Sequence, residues 1–273
     1  MRVVNQTDNQ IVSGNHSQEV AHRFSMAANS YDRHNVLQRE TASRLLTSLS
    51  ECHTLLDIGA GPGTDLPLAT NVLAVDIAPG MLRRLRQHYP NYQTLCADAQ
   101  NLPLAEQCCD SIYSNLALQW CPDLSAALAE IHRVLKPGAE CHVSLVVDGS
   151  LPQLGQLGLR CNAFPSAAEV QAVLRALPWQ QLSVETSQYR FYFDSLKPLL
   201  MSVKGVGASA RFSNKDELIE TDREKSHSVA DNLKPAGLKG KAYWQTLVNA
   251  AEALRESGGI PLSYQILFIH ARK

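Results

Sequence analysis

The sequence predicts an α/β fold in which a mostly parallel sheet of seven strands is covered by helices on both faces. Short apolar runs alternate with segments of helical periodicity, which is the pattern of a parallel sheet with crossover helices. A glycine-rich turn directly follows the first of these runs, at the edge where open α/β sheets bind ligands. With 273 residues, 45% of them hydrophobic, the chain can form one domain with a sizeable core.

The elements can be assigned in chain order. Residues 1–20 are polar and predict a frayed tail, followed by a single domain over 21–273. Apolar residues recur at helical spacing from Phe24 to Leu49, and Ser213–Lys241 is charged and interrupted by proline and glycine, which predicts an exposed insertion or a mobile lid. The predicted strands are Thr54–Ile58, Val72–Val75, Gln93–Ala97, Ser111–Ser114, Glu140–Val147, Leu182–Phe193 and Ser263–Ala271, and the predicted helices between them are Pro79–Gln87, Leu124–Leu135 and Glu169–Leu177.

Composition excludes several classes of protein. The formal net charge of -1 gives no global basic field for nucleic acid. The sequence shows neither an apolar signal region nor a run long enough to span a membrane, so we expect a cytoplasmic protein. Seven cysteines form no Cys-x-x-Cys pair, and the nine histidines lack the spacing of zinc ligands. We therefore expect reduced cysteines and no metal.

The loop after the first strand reads Gly59-Ala60-Gly61-Pro62-Gly63. Glycine there allows positive φ and close approach of the backbone to a ligand, although a tight turn without a ligand would use the same residues. A dinucleotide fingerprint needs a glycine at position 64, which is Thr64, and Pro62 has no N–H to donate. The loop therefore favours a nucleoside or amino-acid moiety over a pyrophosphate.

Three polar positions follow the next strands. Asp76 ends the second strand, Asp98 follows the third in CADAQNLPL, and Asn115 closes the fourth in DSIYSNLALQW. A carboxylate can accept from two vicinal ribose hydroxyls at once, whereas the alternatives are a helix N-cap for Asp76 and a turn for Asp98.

These motifs in order resemble class I S-adenosylmethionine-dependent methyltransferases, with LDIGAGPG similar to their first motif and IHRVLKPGA to their helix before strand five. The resemblance implies a Rossmann-like fold, S-adenosylmethionine as cofactor and S-adenosylhomocysteine as product. Only Thr64–Asn71 separates the last glycine from the next strand, so we expect a first helix of about two turns, shorter than usual. The implied cofactor-binding residues are Gln38, Asp57, Gly59, Ala60, Gly61, Gly63, Asp76, Ile77, Met81, Asp98, Ala99, Gln100, Asn115, Leu116 and Ala117.

The flanking segments resemble one family, the malonyl-acyl carrier protein O-methyltransferases that begin pimeloyl synthesis for biotin. The resemblance is carried by FSMAANSYDRHNVLQRETASRLL, SNLALQWCPDLSAALAEIHRVLKPGA, DGSLPQL, LKPLLMSVKGVGAS and GGIPLSYQILFIHARK. It implies a methyltransferase core over about 50–150 with the C-terminal strands, and acceptor-binding elements over 21–49 and 150–245. The reaction implied is esterification of the free malonyl carboxylate, which is ionised at pH 7 and needs no general base.

The acceptor-binding residues are less constrained by the sequence. Tyr31 falls where the family's N-terminal helix covers the sulfonium, Trp120 is a candidate pocket wall, and Lys204 is a candidate partner for the carboxylate or for a phosphopantetheine phosphate. The alternatives are an aromatic anchor for Tyr31, core packing for Trp120 and a solvated side chain for Lys204.

The partner implied by the resemblance is an acidic carrier protein, for which a local basic face is expected. Candidates are the arginines of MLRRLRQ and the lysines at 234, 239 and 241. Fatty-acid synthesis enzymes and a methyl-ester hydrolase would act on the product.

Three other functions stay open from the sequence alone. The first is a methyltransferase for a free small carboxylic acid or a CoA thioester. The second is a nicotinamide dehydrogenase, which Thr64 disfavours. The third is a non-catalytic scaffold, which the intact cofactor motifs disfavour.

Overall fold

A computed structural model of the chain describes residues 6–159, 161–206 and 241–273, with the side chains of 6–15 and 241–242 left out. Within these ranges the chain folds as alternating strands and helices flanked by an N-terminal helical segment. The helices are α1 (Gln6–Ala27), α2 (Val36–Leu46), α3 (Pro79–His88), α4 (Leu124–Val134), α5 (Pro152–Gln156), α6 (Ala167–Arg175), α7 (Leu196–Lys204) and α8 (Lys241–Ala253). The strands are β1 (Cys52–Ile58), β2 (Ala69–Asp76), β3 (Gln93–Cys96), β4 (Cys109–Asn115), β5 (Leu135–Val147), β6 (Gln181–Phe193) and β7 (Ile260–Arg272).

The seven strands form one sheet in the order β3-β2-β1-β4-β5-β7-β6. The first five strands run parallel to one another, and β7 runs antiparallel to both β5 and β6. The predicted fold class is confirmed, and every predicted strand lies within or overlaps an observed one. The order reverses beside β1, so the carboxyl ends of β1 and β4 open a crevice at the usual ligand-binding edge.

Two apolar layers hold the helices on the sheet. On one face, Ile112 and Val143 pack in a buried cluster with Leu128 of α4 and Leu174 of α6. On the other face, Leu55, Tyr113 and Val146 belong to a cluster that includes residues of α2, α5, α7 and α8. Side chains alternate between the two faces along each strand, so both clusters follow from the period of two in an extended chain.

The N-terminal helix corrects one expectation. The sequence predicts a frayed tail over 1–20, whereas α1 begins at Gln6. Val20 is buried, and the Ser17 hydroxyl donates to Asp98 Oδ2 at 3.1 Å. Tertiary contacts therefore order a segment whose own composition gives little reason to fold.

The connection between β1 and β2 corrects a second expectation from the sequence. The sequence predicts a helix of about two turns there, whereas turns and irregular backbone fill residues 59–68. Five residues, 64–68, separate the last glycine from β2, and one of them is Pro67, which cannot donate to a helix. Tyr92 braces the segment instead, since its hydroxyl accepts from Leu66 N at 2.9 Å and donates to Thr64 O at 3.1 Å.

The remaining expectations concern the cysteines, membrane-spanning segments and the predicted insertion. All seven cysteines are free thiols, of which Cys109 and Cys141 are buried and Cys96 is exposed. None of the described helices is long and apolar enough to cross a membrane. The predicted insertion, apart from the start of α8, lies outside the described residues.

Candidate active site

The glycine loop sits at the carboxyl end of β1, where its backbone takes conformations that favour glycine. Gly59 has φ +70°, and a Cβ at this position would lie 2.1 Å from Ala117 Cβ, well inside contact distance. Gly61 has φ +55° and only the ring of Tyr31 near its missing side chain, at 4.0 Å. Gly63 packs against Tyr89, away from the crevice. The first two glycines therefore serve the site, and the third serves packing.

Asp76 ties this loop to the end of β2. Its Oδ2 accepts the Gly61 N–H at 2.8 Å, and its Oδ1 accepts the Ala78 N–H at 2.7 Å. Burial raises the pKa of Asp76 to about 6, against the lowering effect of these two hydrogen bonds. An ionised carboxyl group has about four acceptor sites, so both oxygens can still accept from hydroxyl groups of a ligand.

A second buried acid, Asp57, lies beneath the loop. Desolvation, with the negative charge of Asp76 adding to it, raises the pKa of Asp57 to about 8. Its Oδ2 is buried without a hydrogen-bond partner. At neutral pH the Asp57 carboxyl group therefore mostly keeps its proton, and a positive charge bound nearby would favour its ionised form.

Asp98 and Gln100 form the polar wall after β3. Asp98 Oδ1 accepts from the backbone N and from Nε2 of Gln100, at 2.9 and 3.0 Å. Gln100 Oε1 in turn accepts from Asp123 N at 2.8 Å. The Asp98 carboxylate is half-buried and already fixed in orientation, which suits recognition of an amino group.

Asn115, at the end of β4, is fixed by three hydrogen bonds of its side chain. Its Oδ1 accepts from Thr41 Oγ1 and from Ser144 Oγ, each at 2.7 Å, and its Nδ2 donates to Gln38 O at 2.8 Å. These bonds join α2 to the sheet. The next residue, Leu116, adopts φ +52°, which is unusual for a branched side chain and aims the backbone after β4 into the crevice.

A first cavity lies over these strand ends. Its wall contains most of the predicted cofactor residues, with Gln38, Asp57, Ala60 and Gly63 outside the lining. The predicted residues in the wall are Gly59, Gly61, Asp76, Ile77, Met81, Asp98, Ala99, Gln100, Asn115, Leu116 and Ala117. Gln38 instead lines a neighbouring cavity, and Ala60 and Asp57 lie behind the wall.

This second cavity lies between the N-terminal helices and the C-terminal elements. It is mainly apolar and aromatic, with residues from α2, β6 and α7 in its wall. The two cavities share four residues, Phe24, Tyr31, Leu116 and Trp120. Phe24 and Trp120 meet edge to face, with ring centroids 5.5 Å apart. A group bound in one cavity would therefore reach a group bound in the other only across this shared wall.

The three predicted acceptor residues lie in two different places in the structure. Tyr31 and Trp120 stand at the boundary between the cavities, whereas Lys204 is exposed at the end of α7 and lines neither. The expected role of Lys204 beside a carboxylate is therefore not supported by its position, because its side chain lies in solvent outside both cavity walls. Neither cavity has a lysine or arginine in its wall among the described residues.

Sequence reasoning missed several residues in the walls. Ser17, Val20 and Phe24 enter the site from α1, where the sequence indicates a tail or an entry helix without assigning contacts. Gln119 and Asn162 line the second cavity, and Gln119 Oε1 is buried without a partner. Gln119 directly precedes Trp120, which the sequence does mark as a candidate pocket wall. Proximity in the sequence could therefore have pointed to Gln119, but no spacing rule marks a glutamine as a ligand.

Comparison with known proteins agrees with this geometry. The family described as "Methyltransferase domain" matches residues 56–143. Among solved structures, a SAM-dependent methyltransferase from Thermotoga maritima, described as a possible histamine N-methyltransferase, superposes with a TM-score of 0.53 at 19% identity. The match covers 93% of this chain and 99% of that chain. At this identity the similarity establishes the fold alone.

Curated relatives are more similar. Malonyl-[acyl-carrier protein] O-methyltransferase of Yersinia pestis is 33% identical over 92% of this chain and 90% of its own length. The biotin biosynthesis bifunctional protein BioHC of Cellvibrio japonicus is 32% identical over 92% of this chain, which spans 49% of that longer protein. The chain thus belongs to the malonyl-[acyl-carrier protein] O-methyltransferase family.

Proposed function

We propose that this chain transfers a methyl group from S-adenosylmethionine to the free carboxylate of a malonyl group on an acyl carrier protein. The product, a malonyl methyl ester, primes pimeloyl synthesis for biotin. The observation that carries the proposal is the wall formed by Phe24, Tyr31, Leu116 and Trp120, because a donor in one cavity and an acceptor in the other would meet there.

The first cavity fits S-adenosylmethionine on its own chemistry. Asp76 offers paired acceptors for vicinal hydroxyls, and Asp98 offers an acceptor for an amino group. Gly61 leaves room that a side chain would occupy. A positively charged ligand in this cavity would favour the ionised forms of Asp57 and Asp76, whose pKa values are raised by burial. Bound there, S-adenosylmethionine supplies a methyl carbon made electrophilic by its sulfonium.

The residues of the chain then have to position and desolvate the reacting groups. A carboxylate nucleophile and a sulfonium lose their charges as they react, so a site that excludes water favours the transfer. Phe24 and Trp120 provide apolar surface at the boundary. Most of the acceleration would come from holding the acceptor oxygen in line with the methyl carbon.

Tyr31 is the polar group best placed to orient the acceptor. Burial, followed by the nearby Asp76, raises the pKa of its hydroxyl, so Tyr31 stays a neutral donor throughout the physiological range. Neither wall has a lysine or arginine among the described residues, so the acceptor carboxylate would be held by hydroxyl and amide donors such as Tyr31, with the imidazole of His34 also in the second wall. A neutral donor orients the nucleophile without stabilising its charge as strongly as an ion pair would, which leaves it reactive.

Recognition of the carrier protein needs a surface outside the cavities. Arg83 and Arg86 are exposed on α3. Between them, Arg84 forms an ion pair with Asp32 of the N-terminal segment at 2.7 Å, so this face of α3 lies next to that segment. An acidic carrier protein would be steered to such a face. Lys234 and Lys239 lie outside the described residues, as does the side chain of Lys241.

The product also implies later steps. The methyl ester masks a charge while the acyl chain is extended by fatty-acid synthesis enzymes, and a methyl-ester hydrolase must afterwards remove it. We place these reactions, and the chain itself, in the cytoplasm.

A comparison of acceptors tests the substrate. Purified enzyme is assayed with S-adenosylmethionine and malonyl-acyl carrier protein, malonyl-CoA or free malonate, and we expect the highest kcat/KM for the carrier-bound group. Equal or better turnover of a free acid would assign the chain to small carboxylic acids instead. Calorimetry with S-adenosylhomocysteine and NAD separates the cofactor from the acceptor question, since tight NAD binding would contradict the methyltransferase reading.

The docking face has its own test. Reversing charge with Arg83→Glu should raise KM for the malonyl-carrier protein and leave that for malonyl-CoA unchanged. Arg175→Glu, on the exposed end of α6, is the matched control. An equal effect of both variants would place docking elsewhere.

A further inference from the structure

A cluster of three side chains on the sheet lies apart from both cavities. Strand register pairs His142 of β5 with His270 of β7, and Glu140 with Arg272. Residues directly opposite in an antiparallel pair, and residues two apart on one strand, project from the same face. Glu140, His142 and His270 therefore converge by the geometry of the sheet.

Their potential ligand atoms are close together. Glu140 Oε2 lies 3.9 Å from His142 Nε2 and 3.4 Å from His270 Nε2. The two imidazole rings stack with centroids 4.6 Å apart and planes inclined by 18°. All three residues can offer a donor atom within 4.8 Å of the others, and one imidazole ring would turn out of the stack so that both nitrogens face the same ion.

The surroundings of the cluster suit a bound cation with access to solvent. His142 is buried, whereas the His270 side chain is 46% exposed and leaves one side open to water. Arg272 Nη2 contacts the other carboxylate oxygen, Glu140 Oε1, at 3.1 Å, so it orients Glu140 while leaving Oε2 free. Supporting contacts of this kind orient carboxylate ligands in metal sites.

From this arrangement we propose that Glu140, His142 and His270 bind one zinc ion. Two imidazoles and a carboxylate are a donor set that zinc accepts, with water completing a tetrahedral site. The spacing of histidines along the sequence did not indicate this site, because His142 and His270 lie on neighbouring strands that are far apart in the chain. The ion would join β5 to β7, and the site is independent of the proposed methyl transfer because none of its ligands lines either cavity.

The test uses full-length, tag-free protein stripped with chelator and titrated with Zn²⁺ by calorimetry, and with Co²⁺ by absorption. We expect one zinc per chain with a Kd in the micromolar range, and visible bands typical of a four-coordinate cobalt site. His270→Ala, a change at an exposed side chain, should weaken zinc binding at least tenfold and leave S-adenosylhomocysteine binding unchanged. The matched control is His53→Ala, which removes an exposed histidine near the end of another strand.

Each outcome decides the assignment. Loss of zinc binding in His270→Ala but not in His53→Ala supports the site. Equal binding by both variants, or octahedral cobalt with no defined stoichiometry, would mean adventitious surface binding and would overturn it. Glu140→Gln provides a second variant, which should also lose affinity if the carboxylate is a ligand.

Discussion

Gly61 donates its backbone N–H to Asp76 Oδ2 over 2.8 Å, so the glycine loop and the acid at the end of β2 form one hydrogen-bonded unit. The same carboxylate receives Ala78 N through its other oxygen. The acid that would bind a ribose thus also fixes the backbone that would approach the rest of the cofactor. A change at Asp76 would therefore also remove a hydrogen bond that holds the loop.

Asp76→Asn should therefore weaken cofactor binding strongly. The amide keeps one acceptor atom but turns the other into a donor that faces a backbone N–H. Hydrogen bonds to charged groups are worth about 1.5–3 kcal/mol, which corresponds to roughly a 10- to 150-fold rise in the Kd for S-adenosylhomocysteine. Calorimetry measures the Kd, and Asp65→Asn, at an exposed position in the same loop, is the control. An unchanged Kd would exclude Asp76 as a ligand.

The buried acids predict a pH dependence of stability in the ligand-free protein. Asp57 has a pKa of about 8 and Asp76 of about 6, both above the ordinary range near 4. Between those limits the folded protein binds more protons than the unfolded chain, so the free energy of unfolding falls as pH rises from about 4 to 8. Asp57→Asn should remove part of this slope.

Chemical unfolding at a series of pH values checks this. The stability of Asp57→Asn relative to the native protein should rise from pH 5 to pH 8 and then level off. Asp65→Asn should show no such trend. A native protein that gains stability over the same interval, with a parallel curve for Asp57→Asn, would contradict the assignment of a raised pKa.

The two glycines that face the site predict different costs when a methyl group is added. Gly59→Ala would place Cβ 2.1 Å from Ala117 Cβ on a backbone with φ +70°, so it combines strain with a clash. The Cβ of Gly61→Ala would come no closer to another residue than 4.0 Å, to Tyr31. Its cost therefore comes mainly from the left-handed backbone conformation. We expect a loss of more than about 2 kcal/mol for the first and about 1 kcal/mol for the second.

A double variant isolates the clash. Ala117→Gly combined with Gly59→Ala removes the opposing methyl group and should recover part of the lost free energy of unfolding. If the changes in the free energy of unfolding of the two single variants simply added up in the double variant, the two methyl groups would not be in contact.

The sequence predicted the sheet and the polar residues at its strand ends because both follow from local pattern. Alternating apolar runs report burial on a sheet, and Asp76, Asp98 and Asn115 stand directly after such runs. It could not predict that α1 would extend back to Gln6, because that helix is ordered by contacts such as Ser17 with Asp98. Nor could it place Lys204 outside the cavities, since the direction of one side chain at a helix end depends on packing across the fold.

The missing helix after β1 gives a further prediction about stability. Tyr92 supplies both an acceptor for Leu66 N and a donor to Thr64 O, in place of the bonds that a helix would make internally. Tyr92→Phe should cost about 1–3 kcal/mol of stability, because Leu66 is buried and its N–H loses its partner. Denaturant unfolding measures the loss. Tyr89→Phe, on the ring stacked against Tyr92, retains both bonds and should cost less.

Tyr31→Phe separates positioning of the acceptor from binding of the cofactor. The aromatic ring that separates the two cavities is kept, so folding and the Kd for S-adenosylhomocysteine should change little. Loss of the hydroxyl proposed to orient the acceptor should lower kcat/KM for malonyl-carrier protein about 10- to 100-fold, in line with one hydrogen bond to a charged group.

The pH profile and a control variant complete this test. Because the raised pKa keeps the Tyr31 hydroxyl neutral, the native enzyme should show no loss of activity from its ionisation at neutral or mildly alkaline pH. Tyr89→Phe removes a hydroxyl outside both cavities and should leave kcat/KM unchanged. If Tyr31→Phe retained native kcat/KM, the hydroxyl would have no part in positioning, and the ring would act only as a wall. Orientation of the carboxylate would then fall to the other donors of the second cavity. Gln119, whose Nε2 donates one N–H to Leu116 O at 2.7 Å and keeps a second N–H, is the next position to substitute.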